Sequence, residues 1–245
     1  MAGAIGGGTG PAGPGRRRTF GDVLRSTLRG GGELLITLGL VVLLFAAYEV
    51  YGKTAMIHEQ QNALDHQLDQ AWGSPTVAPV PSASASASPA PVLAPPPGNA
   101  IGRLYIPRLN LHWVVVEGVA LKDLRYGPGH YPATAMPGAI GNFSVAGHRS
   151  IGIFWDLDRV KPDDYLIVET RTEWYVYQVT QSQVVTPHSV EVIAPVPNKP
   201  GAAPDERYLT LTTCNPKYNN YQRLVVHALL STQSPHDQRP PQLGS

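Results

Sequence analysis

The longest apolar stretch of the chain lies near its N-terminus, at residues 34–51 (LLITLGLVVLLFAAYEVY). It contains 18 residues, and the first 15 of them carry no charge. A helix that crosses a bilayer needs about 20 mainly apolar residues, and tyrosines often mark its interfacial end. The pattern therefore predicts one transmembrane helix over residues 33–52.

Five arginines and one aspartate precede this stretch, all within residues 1–32. Because segments rich in arginine stay on the cytoplasmic side of a membrane, residues 1–32 are predicted to be a basic cytoplasmic tail. A buried core helix would not need these arginines. A cleaved signal peptide has an apolar region of only about 7–15 residues and a small-residue cleavage site, which is not evident here. We therefore expect an uncleaved single-pass anchor in the cell membrane, with the rest of the chain extracellular.

Two segments connect the anchor to the remainder of the chain. In residues 53–72, Leu64, Leu68 and Trp72 are spaced four residues apart, which predicts a short amphipathic juxtamembrane helix that acts as a spacer or in weak self-association. Residues 73–98 contain eight prolines and no charged residue, so they cannot bury a core. They are predicted to be an extended linker that holds a domain off the membrane.

Strand patterns fill residues 99–232. Seven or eight runs of alternating or β-branched residues, such as DYLIVET and RYLTLTTC, are separated by turns and short helical pieces. Closure of so many strands removes exposed strand edges. The predicted fold is therefore all-β, a closed β-barrel of seven to eight strands with short helices, preceded by one transmembrane helix. Residues 233–245 are polar and proline-rich and are predicted to be a disordered tail.

Composition narrows the classes of function. The chain has 19 basic and 18 acidic residues, a net charge of +1, and so lacks the basic surface expected of a nucleic-acid-binding protein. Cys214 is its only cysteine, which excludes an internal disulfide and a four-cysteine zinc site.

Cys214 ends the strand pattern RYLTLTTC. Because side chains alternate along a strand, Thr210, Thr212 and Cys214 share one face, and the Asn-Pro pair that follows ends the strand. A thiol at a strand end is accessible and can act as a nucleophile. The alternative is that this lone cysteine is a small buried hydrophobic residue.

His148 and Arg223 are the residues that could assist such a thiol. His148 follows a short strand through Gly147, and Arg223 begins the last strand nine residues after Cys214, so the two strands can be neighbours. An arginine beside the thiol could bind a substrate carbonyl or a developing oxyanion, or it could form only a salt bridge at the rim. A lone histidine is more often structural. Three other histidines compete with His148 for the catalytic role: His130, His188 and His227.

Three motifs in this order resemble the sortase family: residues 145–149 (VAGHR), residues 210–214 (TLTTC) and residues 223–226 (RLVV). They are similar to the sortase segments that carry the catalytic histidine, cysteine and arginine. The anchor and the linker also match the layout of the family. The TCNP sequence, the short loop before Arg223 and residues 126–132 (YGPGHYP) resemble class E sortases of actinobacteria.

The resemblance implies a cysteine transpeptidase on a sortase-like barrel. Cys214 would be the nucleophile, His148 the general acid and base, and Arg223 the group that stabilises the substrate or the oxyanion. The enzyme would cleave a C-terminal LAxTG- or LPxTG-type sorting signal between Thr and Gly and transfer the acyl group to a peptidoglycan precursor amine of the lipid II type. The candidate substrate-binding residues are Thr212, Thr213 and Tyr131. Residues 133–142 lack the acidic side chains that bind calcium in class A sortases, so neither a metal nor a cofactor is expected.

Other enzyme classes fit less well. A papain-type protease would need its cysteine before its histidine, and a wall L,D-transpeptidase would carry an HGCxR-type motif around the cysteine; the chain has neither arrangement. Two alternatives stay open. One is a non-catalytic, membrane-anchored extracellular β-barrel that binds a partner, and the other is a different class of sortase, pilin-polymerising or housekeeping.

Overall fold

The structure, a computed structural model, describes residues 20–73 and 95–244. It divides into two compact units, Met1–Gly52 and Lys53–Ser245. Residues 1–19 of the predicted tail and residues 74–94 of the predicted linker lie outside the described residues.

The described part of the first unit, residues 20–52, is helical. Helix α1 spans Phe20–Ala47 and is followed by a π-helical turn at Tyr48–Gly52. Within it, Thr27–Ala47 is 21 residues long with a mean hydropathy of 2.0, so the part of the unit that the structure describes contains one helix long and apolar enough to cross a membrane.

Helix α1 begins at Phe20, so it includes residues 20–32 of the predicted basic tail. Three glycines at residues 30–32 do not end the helix, since each costs only about 1 kcal/mol relative to alanine. An ion pair between Arg29 and Glu33, at 3.2 Å and one helical turn apart, spans them.

The second unit begins with α2 at Lys53–Gly73 and continues as eight strands that close into a barrel. The strands are β1 (Ala100–Ile106), β2 (Leu111–Glu117), β3 (Gly129–His130), β4 (Gly141–Ala146), β5 (Tyr165–Glu169), β6 (Glu173–Val185), β7 (Arg207–Asn215) and β8 (Gln222–Pro235). Their order around the barrel is β1-β2-β3-β4-β7-β8-β6-β5, with β2–β3 and β4–β7 parallel and the other pairs antiparallel. The predicted closed barrel is confirmed. The short 3-10 turns are Pro107–Leu109, Leu157–Arg159, Val190–Ile193 and Pro241–Leu243.

Alternation along β7 and β8 decides which side chains enter the core. Leu209 and Leu211 of β7 are fully buried in the barrel interior, together with Val226 and Ala228 of β8. The intervening side chains therefore lie on the outer wall. Cys214 of β7 and Arg223 of β8 belong to this outer set, as the sequence pattern predicts.

Helix α2 packs against the barrel and does not act only as a spacer. Leu68 is buried, and the Gln61 side chain inserts between the helix and the barrel. The Gln61 Oε1 atom accepts the Val114 N–H at 2.7 Å, while Nε2 donates to the carbonyls of Val114 and Tyr126 at 3.3 and 3.1 Å. The predicted helix is present, but its amphipathic pattern reflects contact with the barrel.

An ionic clamp on Arg103 of β1 strengthens this contact. Arg103 bonds Asp65 and Asp69 of α2, the latter at 2.5 Å, and it also faces Glu169 of β5 at 3.4 Å. The Trp72 ring covers the guanidinium at 4.8 Å, a cation–π contact. The last two turns of α2 are thus fixed to β1 by charge as well as by apolar contact.

The predicted disordered tail is wrong in its described part. Strand β8 continues to Pro235, beyond residue 232, and His236 then stacks on Trp174 at 5.7 Å between ring centroids. The Trp174 Nε1–H donates to the His236 carbonyl at 2.8 Å, and His236 Nε2 lies 2.8 Å from Glu169 Oε1. These contacts join residues that are distant in sequence, so the polar and proline-rich composition of the C-terminal residues does not predict them.

Candidate active site

A pocket of about 420 Å³ lies on the outer wall of the barrel, where β7 ends. It is lined by the loop after β4 and by the end of β7 with the loop that follows: His148, Arg149, Ser150, Cys214, Tyr218, Asn219 and Asn220. Two of the three predicted catalytic residues, Cys214 and His148, therefore meet in one partly exposed pocket.

Strand pairing explains how residues distant in sequence meet. Strands β4 and β7 are parallel with Ala146 opposite Thr212, so the chain leaves β4 toward His148 beside the end of β7. The Gly147 N–H continues this pairing by donating to the Thr212 carbonyl at 3.0 Å. On the other side of β7, Cys214 is opposite Arg223 of β8.

Gly147 allows the chain to pass close to the buried Phe154 ring as it turns toward His148. A β-carbon on Gly147 would lie 2.5 Å from Cδ2 of Phe154, far inside van der Waals contact. The His148 carbonyl accepts the Phe154 N–H at 3.1 Å, which fixes the loop over the strand end. The group that approaches Gly147 closely is the Phe154 side chain.

Arg223 is held at the base of the loop between β7 and β8. Its Nη1 atom donates to the carbonyls of Asn220 and Gln222, both at 2.8 Å. A guanidinium has five N–H donors in a fixed plane, so these two bonds orient the group and do not exhaust its donors.

The three candidate substrate-binding residues divide into two groups. The Tyr131 hydroxyl lies 3.1 Å from Thr212 Oγ1, so the structure brings these two side chains together on the outer face that carries Cys214. Thr213 is buried and follows the inward-pointing Leu209 and Leu211 in the alternation. The structure therefore does not bring the Thr213 side chain to the pocket, because neighbouring residues of a strand face opposite sides.

Two of the competing histidines have structural partners. His130 is fully buried, with Nδ1 2.8 Å from Glu117 Oε2 and Nε2 2.9 Å from Thr134 Oγ1. His227 lies under the loop between β6 and β7, with Nδ1 2.8 Å from Thr210 Oγ1. Burial lowers the pKa of His227 to about 4, which keeps its ring neutral.

Ion pairs within and between the two loops of the pocket were not predicted from the sequence. The Arg149 side chain is only 4% exposed and pairs with Asp158 of the same loop at 3.0 Å. Lys217, in the loop after β7, bonds Asp156 at 2.9 Å, and this hydrogen bond lowers the pKa of Asp156. The one signal for Arg149 in the sequence was its position next to His148. The partners of its side chain are distant in sequence or are main-chain carbonyls, so no local pattern predicts them.

An aromatic pair extends the same rim. The exposed Tyr218 ring meets Trp155 edge to face at 5.1 Å, and the Lys217 ammonium lies 5.0 Å from the Trp155 ring centroid. The loop after β7 is therefore attached to the loop after β4 by both charge and ring contacts.

Comparison with known proteins agrees with this arrangement. A family model described as the sortase domain matches residues 104–231. The chain is 32% identical over 220 residues to sortase SrtE1 of Streptomyces coelicolor, covering 86% of this chain and 59% of that relative, less than two thirds of the relative's length. It is 30% identical over 227 residues to sortase SrtE2 of the same species, covering 89% of this chain and 87% of the relative.

A solved structure leads to the same family. The chain resembles the crystal structure of sortase E1 from Streptomyces coelicolor with a tripeptide in the active site, with a TM-score of 0.56 and 35% identity, covering 60% of this chain and 97% of that one. These similarities agree with the class E resemblance of the sequence motifs. The eight-stranded barrel, the three motifs and the matching family model lead to one assignment: the chain belongs to the sortase family.

Proposed function

We propose that the chain is a class E-type sortase, a cysteine transpeptidase that anchors surface proteins to the cell wall. One observation supports this most directly: Cys214 and His148 line one pocket, and Arg223 is the strand partner of Cys214. The arrangement supplies a nucleophile and a proton-transfer group in one pocket, with a cation on the neighbouring strand.

The first half-reaction makes a thioester. Sγ of Cys214 attacks the Thr carbonyl carbon of the Thr–Gly peptide bond in the sorting signal, and the thiol proton passes to His148. Arg223 donates hydrogen bonds to the carbonyl oxygen as it gains negative charge. When the tetrahedral intermediate collapses, the C–N bond breaks and His148 returns the proton to the leaving glycine amine.

The second half-reaction transfers the acyl group. An amine attacks the thioester carbonyl and gives its proton to His148, which now acts as the base. The C–S bond breaks, an amide bond forms, and Cys214 regains its proton from His148. The acceptor is a peptidoglycan precursor amine of the lipid II type.

The outer face of the barrel around Tyr131, beside the pocket, is the proposed substrate groove for the sorting signal. The partly exposed Tyr131 side chain is the contact for the LAxTG- or LPxTG-type signal, and the buried Thr212 hydroxyl, 3.1 Å from the Tyr131 hydroxyl, orients it. Thr213 acts only indirectly, through the main chain that carries Cys214, because its side chain is buried.

The chain is a single-pass membrane protein with its N-terminus in the cytoplasm. Residues 34–51 supply the anchor, and the arginines before it favour this orientation by the positive-inside rule. The barrel is then extracellular, where secreted clients bearing sorting signals and the cell-wall acceptor are available. Nucleic acid is not a partner.

The test uses the full chain in detergent micelles with an LAxTG peptide, a peptidoglycan-derived amine and mass spectrometry. The wild type forms an acyl adduct on Cys214 and then an amide product. Cys214→Ala forms neither. His148→Ala and Arg223→Ala slow adduct formation by about 10²-fold or more. The control, Arg207→Ala at the exposed opposite end of β7, retains the wild-type rate.

A second outcome would favour a different function. If the wild type is inert toward both LAxTG and LPxTG peptides, and Cys214→Ala preserves the cellular role of the chain, the barrel is a binding module and the transpeptidase proposal fails.

A further inference from the structure

Arg149, the residue after His148, is a nearly buried cation in contact with the strand end that carries Cys214. Its Nη1 atom donates to the Cys214 carbonyl at 3.4 Å and lies 3.5 Å from Asn215 Oδ1. Its Nε–H donates to the Trp155 carbonyl at 2.9 Å. The guanidinium therefore donates hydrogen bonds both to the loop after β4 and to the end of β7, which border the pocket.

The contacts of Arg149 extend to the third predicted catalytic residue. Asn215 accepts from Arg149 and donates through Nδ2 to Gln222 Oε1 at 2.9 Å. Gln222 directly precedes Arg223, and its carbonyl accepts one of the Arg223 hydrogen bonds. One guanidinium thus links the backbone segments that carry the proposed general acid, nucleophile and oxyanion-binding group.

The burial of Arg149 separates its role from that of Arg223. A side chain that is 4% exposed cannot be the group that a bound peptide contacts. Its charge is balanced by Asp158, which is 47% exposed, and its other bonds go to carbonyl and amide oxygens. The planar, forked donor set of arginine fixes the directions of several acceptors at once, which a lysine ammonium does not.

We propose that Arg149 is a positioning residue for transpeptidation: it fixes the Cys214 end of β7 relative to the His148 loop. This inference rests on the proposed function. Arg149 contacts no reacting atom and acts through the Cys214 main chain and through the loop that it shares with His148. A displacement of about 1 Å in such a site can cost roughly 10²-fold in rate.

The experiment measures kcat and KM for the LAxTG peptide with the full chain in detergent micelles. Arg149→Lys keeps the positive charge but loses the planar set of guanidinium N–H donors, and Arg149→Ala removes both. We expect kcat to fall at least about 10-fold in Arg149→Lys and about 10²-fold in Arg149→Ala. KM stays within about two-fold, because no substrate contact is lost. Millimolar guanidinium restores part of kcat in Arg149→Ala and none in Arg149→Lys, whose ammonium occupies the site.

Arg159→Lys is the matched control. Arg159 belongs to the same loop and pairs with Asp156 at 3.7 Å, but it is 66% exposed. Its variant should keep the wild-type kcat and KM. Thermal melts of all variants show whether a loss of rate follows a loss of folded protein.

The outcomes separate the two proposals. If the wild type forms no acyl enzyme, the proposed function fails and the Arg149 role fails with it. If the wild type is active and Arg149→Lys keeps its kcat, only the Arg149 role fails. The role also fails if KM rises at constant kcat, or if the loss in Arg149→Ala tracks its melting temperature without rescue by guanidinium.

Discussion

The ring of Phe154 covers Gly147 so closely that a β-carbon on Gly147 would lie 2.5 Å from Cδ2 of the ring. Gly147 is the residue that carries the chain from β4 to His148, so the packing of Phe154 and the position of the histidine depend on each other. The absence of a side chain at this one residue lets a fully buried ring pack directly against the chain that leads to His148.

Gly147→Ala should therefore damage both stability and catalysis. The ring or the loop must move, and forcing extra atoms into a packed core costs about 1–3 kcal/mol of the free energy of unfolding. We expect acyl-enzyme formation to slow at least about 10-fold, since the loop carries His148. Urea unfolding and the adduct assay measure the two effects. Gly73→Ala, where a β-carbon meets no atom within 4 Å, is the control; equal behaviour of the two variants would contradict the prediction.

Tyr131→Phe tests the substrate groove. The change removes the hydroxyl that lies 3.1 Å from Thr212 Oγ1 and leaves the ring in place. We expect KM for the sorting peptide to rise several-fold, with a smaller change in kcat, because the proposed hydrogen bond between the Tyr131 hydroxyl and the peptide is worth about 1 kcal/mol. Tyr165→Phe, on β5, should leave both constants unchanged. An unchanged KM in Tyr131→Phe would remove Tyr131 from the substrate groove.

His227 should make the fold sensitive to acid. Burial lowers its pKa to about 4 from an ordinary value of 6.5. Between these values the unfolded chain binds more protons than the folded chain, so the free energy of unfolding decreases as the pH falls from about 6.5 to about 4. The loss attributable to this one group approaches about 3 kcal/mol.

The comparison of wild type with His227→Gln isolates this contribution. Glutamine does not titrate, so the variant should lose less stability than the wild type over the same pH interval in urea unfolding. His188→Gln, at an exposed position, should retain the wild-type pH dependence. Parallel curves for wild type and His227→Gln would show that the His227 pKa is not lowered.

Asp65→Asn should loosen α2 from the barrel. Asp65 is one of two α2 carboxylates that bind Arg103, whose side chain is 9% exposed. Loss of one charged hydrogen bond to a buried cation should cost about 1–3 kcal/mol, and the α2 amides should exchange hydrogen faster than in the wild type. Glu59→Gln, at an exposed position on α2, should change neither quantity. Unchanged exchange in Asp65→Asn would show that other contacts hold the helix.

The sequence contained enough information to predict the barrel and the shared outer face of Cys214 and Thr212. These features depend on the two-residue period of strands, which is local and visible in a pattern such as RYLTLTTC. The motif order also indicated the family. The same period places Thr213 on the core face with Leu209 and Leu211, so the burial of its side chain was also predictable from the sequence.

Contacts between distant elements were not predictable in this way. Gln61 of α2 bonds the main chain of Val114, and Arg103 meets Asp65 across 38 positions, so no periodic pattern records either pairing. The same holds for His236 and Trp174 near the C-terminus. Polar side chains that compensate one another look like ordinary solvent-exposed residues until the fold brings them together.

The attachment of α2 to β1 changes what the proline-rich segment can do. The described elements on either side of residues 74–94, α2 and β1, belong to the same compact unit, and the division between the two units falls between Gly52 and Lys53. Residues 74–94 therefore do not connect the helical unit to the barrel. While α2 stays docked, added residues there would not lengthen the connection between the two units, and each doubling of a flexible closed loop costs only about 0.6 kcal/mol of closure entropy.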